Sequence, residues 1–252
     1  MTAIPLPSRS VALRPLALPA EHGGWGFLFE PILVGMLVAP SEGGGFVAAA
    51  ALFGFLARHP LKLALQDAAR GTRYPRTFWC RALAGSYLIA ALFSLSVAIA
   101  LSGTNVLVPF ALAMPFAALQ AWRDARNHGR ELLAEISGAV AMASTVTAIA
   151  IAGGAGAEMA YGLAGIMIAR FVPAILYVRA LLGRVPAWCA WTAHVVALGA
   201  IASYAGPLAV AAMAVLLMRA AWGLTHEPPR AKVIGWREIA FGAVTVALVT
   251  MA

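Results

Sequence analysis

The chain has 252 residues, of which 62% are hydrophobic and only 11% are charged, and its formal net charge is +8. Water-soluble domains carry about 25% charged residues, so the composition excludes an ordinary soluble protein and indicates a polytopic membrane protein. Nearly all of the basic residues lie in short segments between apolar runs. Orientation in the membrane and contact with lipid head groups explain that placement better than nucleic-acid binding does.

Residues 1–20 contain Arg9, Arg14 and four prolines before any apolar run begins. A cleavable signal peptide instead places an apolar stretch directly after a charged start. We therefore expect a cytoplasmic N-terminal arm over residues 1–20 and a single transmembrane helical domain over residues 21–252.

A helix that crosses a bilayer needs about 20 mostly apolar residues. Breaks at polar, glycine and proline positions divide the chain into about nine such segments, which predicts an all-α polytopic bundle. The predicted spans are 24–39, 46–59, 82–101, 105–119, 132–153, 159–182, 188–204, 207–224 and 238–252. The fifth segment is rich in glycine, alanine and serine, which allow close packing, so we expect it to be central.

Basic residues gather in alternate connections of this scheme, and the intervening loops contain neither lysine nor arginine. The basic positions are Arg9 and Arg14, then Arg58, Lys62, Arg70, Arg73, Arg76 and Arg81, then Arg123, Arg126 and Arg130, then Arg179 and Arg184, and finally Arg219, Arg230, Lys232 and Arg237. Because basic loops stay in the cytoplasm, we predict a protein of the bacterial cytoplasmic membrane with its N-terminus inside and its C-terminus outside. The long polar loops then open toward the cytoplasm.

Three polar residues mark the start of the first predicted span. Glu21 and His22 precede a glycine-rich turn that lets a helix or a ligand approach the backbone closely. Glu30 lies about two turns into the span. An ionisable group inside a span is costly and is a functional candidate by default, so we take all three as candidate ligand-binding residues.

Arg170 lies midway along the sixth predicted span, and Tyr177 follows it two turns later on the same face. An ion pair of Arg170 with Glu30 or Glu135 would be structural. The functional alternative is that Arg170 receives an anionic group while the glutamates hold a cation or a proton. His194, inside the seventh span, is predicted to be a packing histidine with a backbone partner.

The second connection carries His59, Lys62, Gln66 and Arg70, which form one stripe if the segment is helical. Arg58 and Arg73 add two guanidinium groups, and arginine binds diphosphate through planar bidentate donors. Anchoring of a cytoplasmic loop explains the same residues equally well.

The most polar segment is 123–135. Read as a helix, it places its acidic residues and His128 within an arc of roughly 60° and its arginines in a separate arc. This arrangement predicts either an inward-facing binding surface or an interfacial helix with charge pairs one turn apart. The residues concerned are Asp124, His128, Glu131 and Glu135 on one face, and Arg123, Arg126 and Arg130 on the other, with Asn127 between them.

Four motifs together resemble the YwiC-like family of bacterial multi-pass membrane proteins. They are Glu21-His22-Gly23-Gly24-Trp25 leading to Glu30-Pro31, Arg58-His59-Pro60-Leu61-Lys62, Arg130-Glu131-Leu132-Leu133-Ala134-Glu135, and Gly235-Trp236-Arg237-Glu238. The resemblance covers most of the chain. It implies a multi-pass membrane protein and implies no particular activity.

The predicted layout is also similar to that of the UbiA-type intramembrane prenyltransferases, which have nine helices and polar loops after the second and sixth spans. That similarity implies a UbiA-like bundle and Mg²⁺ held on a diphosphate by carboxylates of two aspartate-rich loops. In this chain the first loop offers Gln66-Asp67, and the second, residues 179–186, has no carboxylate. If Mg²⁺ binds, Asp67 and Glu131 are the candidate ligands.

Our leading hypothesis is a UbiA-like bundle whose cytoplasm-facing polar cavity binds an isoprenoid diphosphate or a quinone-type lipid, with prenyl transfer as the reaction if the protein is an enzyme. The candidate acid–base groups are Asp67, Asp124, Glu131 and Glu135. The candidate ligand-binding residues are Glu21, His22, Glu30, Arg58, His59, Lys62, Gln66, Arg70, Arg73, Asn127, Arg170 and Tyr177. The alternatives are a small proton-coupled transporter with Glu30, Glu135 and Arg170 as its relay, and a non-catalytic membrane partner of a redox complex.

Overall fold

The computed structural model describes residues 12–19, 22–71 and 74–251, with the side chains of residues 22 and 23 excluded. Over these residues the protein is helical and contains no strand. The helices are α1 (Arg14–Ala17), α2 (His22–Val38), α3 (Glu42–Ala69), α4 (Pro75–Ser102), α5 (Leu107–Ala125), α6 (Leu132–Ala152), α7 (Ala157–Leu181), α8 (Ala187–Ala202), α9 (Pro207–Thr225) and α10 (Ala231–Thr250). A 3-10 turn, Thr104–Val106, leads into α5.

Helices α2 to α10 fall on the nine predicted spans. Seven of them are long and apolar enough to cross a membrane, whereas α2 and α8 contain only shorter apolar helices, Gly24–Val38 and Ala187–Ala202. A helix of 16 residues such as α8 rises only about 24 Å, less than the roughly 30 Å of a hydrocarbon core. The membrane-embedded, all-helical fold is therefore supported, while the count of nine spans and the UbiA-like arrangement stay predictions.

Helix α3 is much longer than the predicted span 46–59. It begins at Glu42, where the Oγ of Ser41 accepts a hydrogen bond of 2.9 Å from the backbone N–H of Gly44, a standard helix start. It continues through Pro60 to Ala69, and its last turns pack with Leu16 and Cys80 around Ala64. Most of the predicted polar loop is therefore helical.

The prediction of one helix over residues 123–135 is wrong. Helix α5 ends at Ala125, and α6 begins at Leu132. Asn127 lies between them with φ +67°, a left-handed conformation that asparagine adopts more readily than most residues. The acidic and basic residues of this segment therefore do not occupy two arcs of one helix.

Helix α6 lies at the centre of the bundle, as its small residues predicted. In its most apolar window 61% of the residues are buried, against 17% for α4. It packs against α2, α3, α5 and α7. In the main core, Val146 of α6 is clustered with Val34, Met167, Phe171 and Leu216 of other helices. This packing positions the polar ends of α3, α5, α6 and α7 next to one another.

Candidate functional site

A cavity of about 1620 Å³ lies among helices α2 to α7 and the first half of α10. One face of α5 lines it from Phe110 through Ala113, Ala117 and Ala121 to Asp124. At about 1.5 Å per residue these 14 steps span roughly 21 Å. The wall is apolar over most of that distance and charged at the Asp124 end.

Among the described residues, seven basic side chains and four carboxylates line the cavity, a surplus of three positive charges. The basic residues are Arg58, Lys62, Arg130, Arg170, Arg179, Arg184 and Lys232, and the acidic residues are Glu30, Asp124, Glu135 and Glu238. Deep, mostly apolar cavities with a few convergent polar groups are the usual form of small-molecule sites.

Asp124 organises the first group of predicted site residues. Its side chain is only 3% exposed and contacts Arg58 Nε at 2.6 Å and Lys62 Nζ at 3.6 Å. Gln66 donates hydrogen bonds to the backbone oxygen of Asp124 at 3.2 Å and to Asn127 Oδ1 at 3.1 Å. The structure therefore brings together five predicted residues from α3, the end of α5 and the α5–α6 turn.

The other two carboxylates of this region each have an arginine partner of their own. Glu131 contacts Arg123 Nη1 and His128 Nδ1, each at 2.5 Å. Glu135 contacts Arg179 Nη1 at 2.8 Å, and Arg179 also donates to the backbone oxygen of Arg130 at 3.0 Å. Glu135 therefore pairs with Arg179. The predicted alternative in which Glu135 pairs with Arg170 is wrong.

Asp67 lies outside the cavity lining and ties α3 to α4. Its side chain has no exposed surface and accepts hydrogen bonds from Arg76 Nη2 at 2.9 Å and from Thr77 Oγ1 at 2.7 Å. Arg76 is partly exposed and covers the carboxylate from the solvent side. These contacts give Asp67 a structural role at the α3–α4 corner.

The predicted magnesium ligands do not form a ligand set. No group of three or more His, Cys, Asp or Glu side chains that could hold a metal ion occurs in the described part of the chain. Asp67 and Glu131 are each occupied by guanidinium groups and have no common partner. The side chains shown here do not fit Mg²⁺, and the role of Mg²⁺ stays a prediction from the sequence.

A second group of charges is buried between α2, α7, α9 and α10. Arg170, 2% exposed, lies 3.3 Å from Glu30 Oε2 and 3.3 Å from Glu238 Oε2, and it donates a bond of 2.9 Å to the backbone oxygen of Glu238. Arg219 holds both oxygens of Glu238 at 2.5 and 2.6 Å. We call Glu30, Arg170, Arg219 and Glu238 the buried charge cluster. Two arginines and two glutamates balance its charge.

The two glutamates of the buried charge cluster are held differently. Both oxygens of Glu238 accept hydrogen bonds from Arg219 Nη1, whereas from the described residues Glu30 accepts only one hydrogen bond, of 3.4 Å from Arg170 Nη2. Glu30 Oε2 and Arg170 Nε face each other at 3.3 Å, yet neither atom makes a hydrogen bond within the part of the chain that the structure describes. Glu30 is therefore the more loosely bound carboxylate.

His194 joins the cluster through its ring. Its Nδ1 lies 2.7 Å from the carbonyl of Ala190, the backbone partner that the sequence predicted, and its Nε2 lies 2.9 Å from Arg219 Nη2. A carbonyl only accepts and a guanidinium only donates, so Nδ1 carries the proton and Nε2 accepts. Tyr177 lies beside this pair, with the Arg219 guanidinium 4.2 Å from the centre of its ring.

Gly242 makes room for the Glu30 carboxylate, and this supports a first prediction. A Cβ at Gly242 would overlap Glu30 Oε1, so Gly242→Ala should displace Glu30 from Arg170. Overpacking costs about 1–3 kcal/mol, while alanine has a helix propensity up to about 1 kcal/mol more favourable than that of glycine. We therefore expect the free energy of unfolding to fall by about 1 kcal/mol, as measured by thermal unfolding in detergent.

Gly235→Ala is the matched control on the same helix. A Cβ at Gly235 meets no atom within 4 Å, so this variant should be neutral or more stable by up to about 1 kcal/mol. Equal shifts in the two variants would contradict the close packing of α10 on Glu30.

The remaining predicted residues lie at the margins. His59 Nε2 is 3.1 Å from the backbone oxygen of Pro15, and Arg70 is the exposed C-cap residue that follows α3. Glu21 and Arg73 lie outside the described residues, as does the side chain of His22.

Sequence reasoning missed Arg219 and Glu238. Arg219 belongs to the eighth predicted span, so the rule that selected Glu30 and Arg170 also applied to it, but it was grouped with the nearby loop charges. Glu238 was placed at the first position of the ninth span. Helix α10 begins seven residues earlier, at Ala231, and this moves Glu238 into the helix interior.

Comparison with known proteins yields one family. A family model described as YwiC-like protein matches residues 18–150, more than half of the chain. The matched range includes Glu30, the residues around Asp124 and most of α6. No curated protein and no solved structure matches the chain.

Proposed function

The chain is an integral membrane protein of the YwiC-like family, and we propose that it binds an isoprenoid diphosphate or a quinone-type lipid in its cavity. The observation that carries this proposal is the combination of a long apolar wall with a surplus of basic side chains at one end. An apolar wall of this length can pack along a hydrocarbon chain. Guanidinium groups match the oxygens of an anionic head group.

The geometry supports ligand binding more directly than prenyl transfer. Each of the four carboxylates predicted as acid–base groups already has a cationic partner within 2.9 Å. A group that acts as an acid or a base has to release such a partner first. Prenyl transfer is therefore the reaction we propose only for the ligand-bound state, in which the head group competes for Arg58 and Arg179, the two of these partners that line the cavity.

The binding proposal is tested by filling the cavity. Gly54 lines the cavity, and a Cβ there meets no atom within 4 Å. The side chain introduced by Gly54→Leu should therefore fill part of the apolar cavity without disturbing α3. We expect farnesyl diphosphate to bind the variant about tenfold more weakly or less in native mass spectrometry of the full chain in mild detergent.

Gly45→Leu is the control for this experiment. Gly45 lies on the same helix, has the same free space, and does not line the cavity. Its variant should bind like the wild type. Failure of the wild-type protein to retain farnesyl diphosphate or a quinone would reject the proposal, and equal binding by the two variants would place the ligand elsewhere.

Proton-coupled transport is the second candidate, and the buried charge cluster favours it. Ionisable groups inside membrane proteins commonly mark proton or ion paths. Glu30 and Arg170 belong both to the cluster and to the cavity wall. If the protein is a transporter, Glu30→Gln should abolish the uptake of its substrate into sealed vesicles under a proton gradient. If the protein binds a lipid, the same variant should still retain that lipid.

A further inference from the structure

The surplus of positive charge in the cavity is not evenly distributed. Arg58 and Lys62 share Asp124, which leaves one charge, and the buried charge cluster is balanced once Arg219 is included. Among the described residues that line the cavity, the remaining charged ones are the basic Arg130, Arg179, Arg184 and Lys232 and the acidic Glu135. We call these four basic residues the rim cluster. Most of the surplus belongs to them.

The rim cluster comes from four separate parts of the chain. Arg130 precedes α6, Arg179 lies in the last turn of α7, Arg184 lies between α7 and α8, and Lys232 lies in the first turn of α10. Arg179 links two of these segments through its contacts with Glu135 and the backbone of Arg130. The fold therefore gathers these residues at one end of the cavity.

Several donors of the rim cluster are available to a ligand. Within the described residues, Arg184 and Lys232 have exposed side chains without a hydrogen-bond or ion-pair partner. The Nε atom of Arg179 is buried and makes no hydrogen bond to any described residue. Buried donors without partners are costly, and a ligand oxygen in the cavity is one way to satisfy this group.

The helix dipole explains part of this arrangement only. A basic residue near the C-terminus of α7 is favourable, but a lysine in the first turn of α10 lies at the positive end of that helix and is unfavourable. The start of α10 has no acidic residue in its first turn and no side-chain cap, and its first residues line the cavity. An anion bound there would compensate both features.

We infer that Arg179, Arg184, Lys232 and the start of α10 form the head-group site for a phosphate or diphosphate monoester. The inference rests on the proposed function, because it locates the head of the ligand whose chain follows the apolar wall. A phosphate monoester carries about −1.5 to −2 charges at pH 7. Arg179, Arg184 and Lys232 supply three positive charges, of which Glu135 offsets one. Arg170, predicted as a diphosphate ligand, is instead engaged by Glu30 and Glu238.

The test is a binding titration of the full chain in mild detergent with farnesyl diphosphate, farnesol and inorganic diphosphate. The double variant Arg184→Gln/Lys232→Gln removes two charge-assisted contacts, so we expect about 100-fold weaker binding of farnesyl diphosphate. Farnesol, which has no phosphate, should bind both proteins alike. Lys232→Arg keeps the charge and should keep most of the affinity.

Arg237→Gln is the matched control, since Arg237 is exposed on α10 and does not line the cavity. It should bind farnesyl diphosphate like the wild type. If inorganic diphosphate competes with farnesyl diphosphate for the wild type but not for the double variant, the phosphates alone are recognised. If inorganic diphosphate does not compete, but the double variant still binds farnesyl diphosphate about 100-fold more weakly, the lipid chain is also required for recognition.

Two results would overturn the inference, and they are distinguishable. If farnesyl diphosphate binds the wild type and the double variant equally, the head group lies elsewhere and the proposed lipid binding stands. If neither farnesyl diphosphate nor farnesol binds the wild type, the cavity does not bind this class of lipid and the proposed function fails with the inference.

Discussion

Replacing Glu238 with alanine is expected to destabilise the protein more than any other single substitution considered for this chain. Arg170 and Arg219, 2% and 7% exposed, would then share Glu30 as their one carboxylate partner in the cluster. Leaving a buried charge uncompensated costs about 3–5 kcal/mol. The expected result is a large fall in the thermal unfolding midpoint in detergent, or loss of the monodisperse protein in size-exclusion chromatography.

Two variants make this prediction specific. Arg237→Ala changes the adjacent exposed residue and should alter stability by no more than about 0.5 kcal/mol. The double variant Arg219→Gln/Glu238→Gln removes one charge of each sign and should recover part of the loss, because no net charge is left buried. A Glu238→Ala protein with the wild-type midpoint would show that the buried charge cluster does not contribute to folding.

Glu30→Gln should have a smaller effect than Glu238→Ala. Glu30 has one hydrogen bond of 3.4 Å, while Glu238 accepts three from the two arginines at 2.5 to 3.3 Å. This difference is useful, because a Glu30→Gln protein that folds can be assayed for transport and for lipid binding. The two candidate functions then give opposite results with one variant.

Asp67→Ala is expected to produce the second-largest effect, a loss of about 1–3 kcal/mol in the free energy of unfolding. The substitution leaves the Thr77 hydroxyl, in a residue only 5% exposed, without its acceptor, and an unsatisfied buried polar group costs this much. The Arg76 side chain can turn to solvent, so the loss of its ion pair with Asp67 adds little to the change in the free energy of unfolding. Chemical or thermal unfolding in detergent measures the change.

A double-mutant cycle separates the structural role of Asp67 from a catalytic one. If Asp67 and Arg76 stabilise the α3–α4 corner together, Asp67→Ala and Arg76→Ala should be non-additive, with a coupling of at least about 0.5 kcal/mol. Asp67→Asn should keep one acceptor and most of the stability. A fully stable Asp67→Asn protein that binds the lipid but does not turn it over would instead support the predicted acid–base role.

Much of the fold could be predicted because membrane helices are encoded locally. A span needs about 20 apolar residues in one stretch, whatever its neighbours are, so α2 to α10 appear where hydropathy placed them. The small residues of α6 likewise predicted its central position. The ends of helices were less predictable, because α3 and α10 extend into polar sequence that is stabilised by packing against other parts of the chain.

The charged residues likewise combine a feature that can be predicted from local sequence with one that depends on packing. The cost of an ionisable group in a span identified Glu30 and Arg170 one residue at a time. Their contacts join residues 68 and 140 positions apart, and that pairing depends on which helices are neighbours. The sequence alone does not show which helices are neighbours.

The sequence by itself determined that the protein is helical and embedded in a membrane, which family it resembles, and which residues are costly in lipid. Only the tertiary structure decided which of those residues share a site. It turned Asp67 toward Arg76 and Thr77, paired Glu135 with Arg179, and directed Arg179, Arg184 and Lys232 into the cavity. The physical reason is that the direction of a side chain depends on the rotation and packing of its helix, which are set by the whole bundle and not by the local sequence.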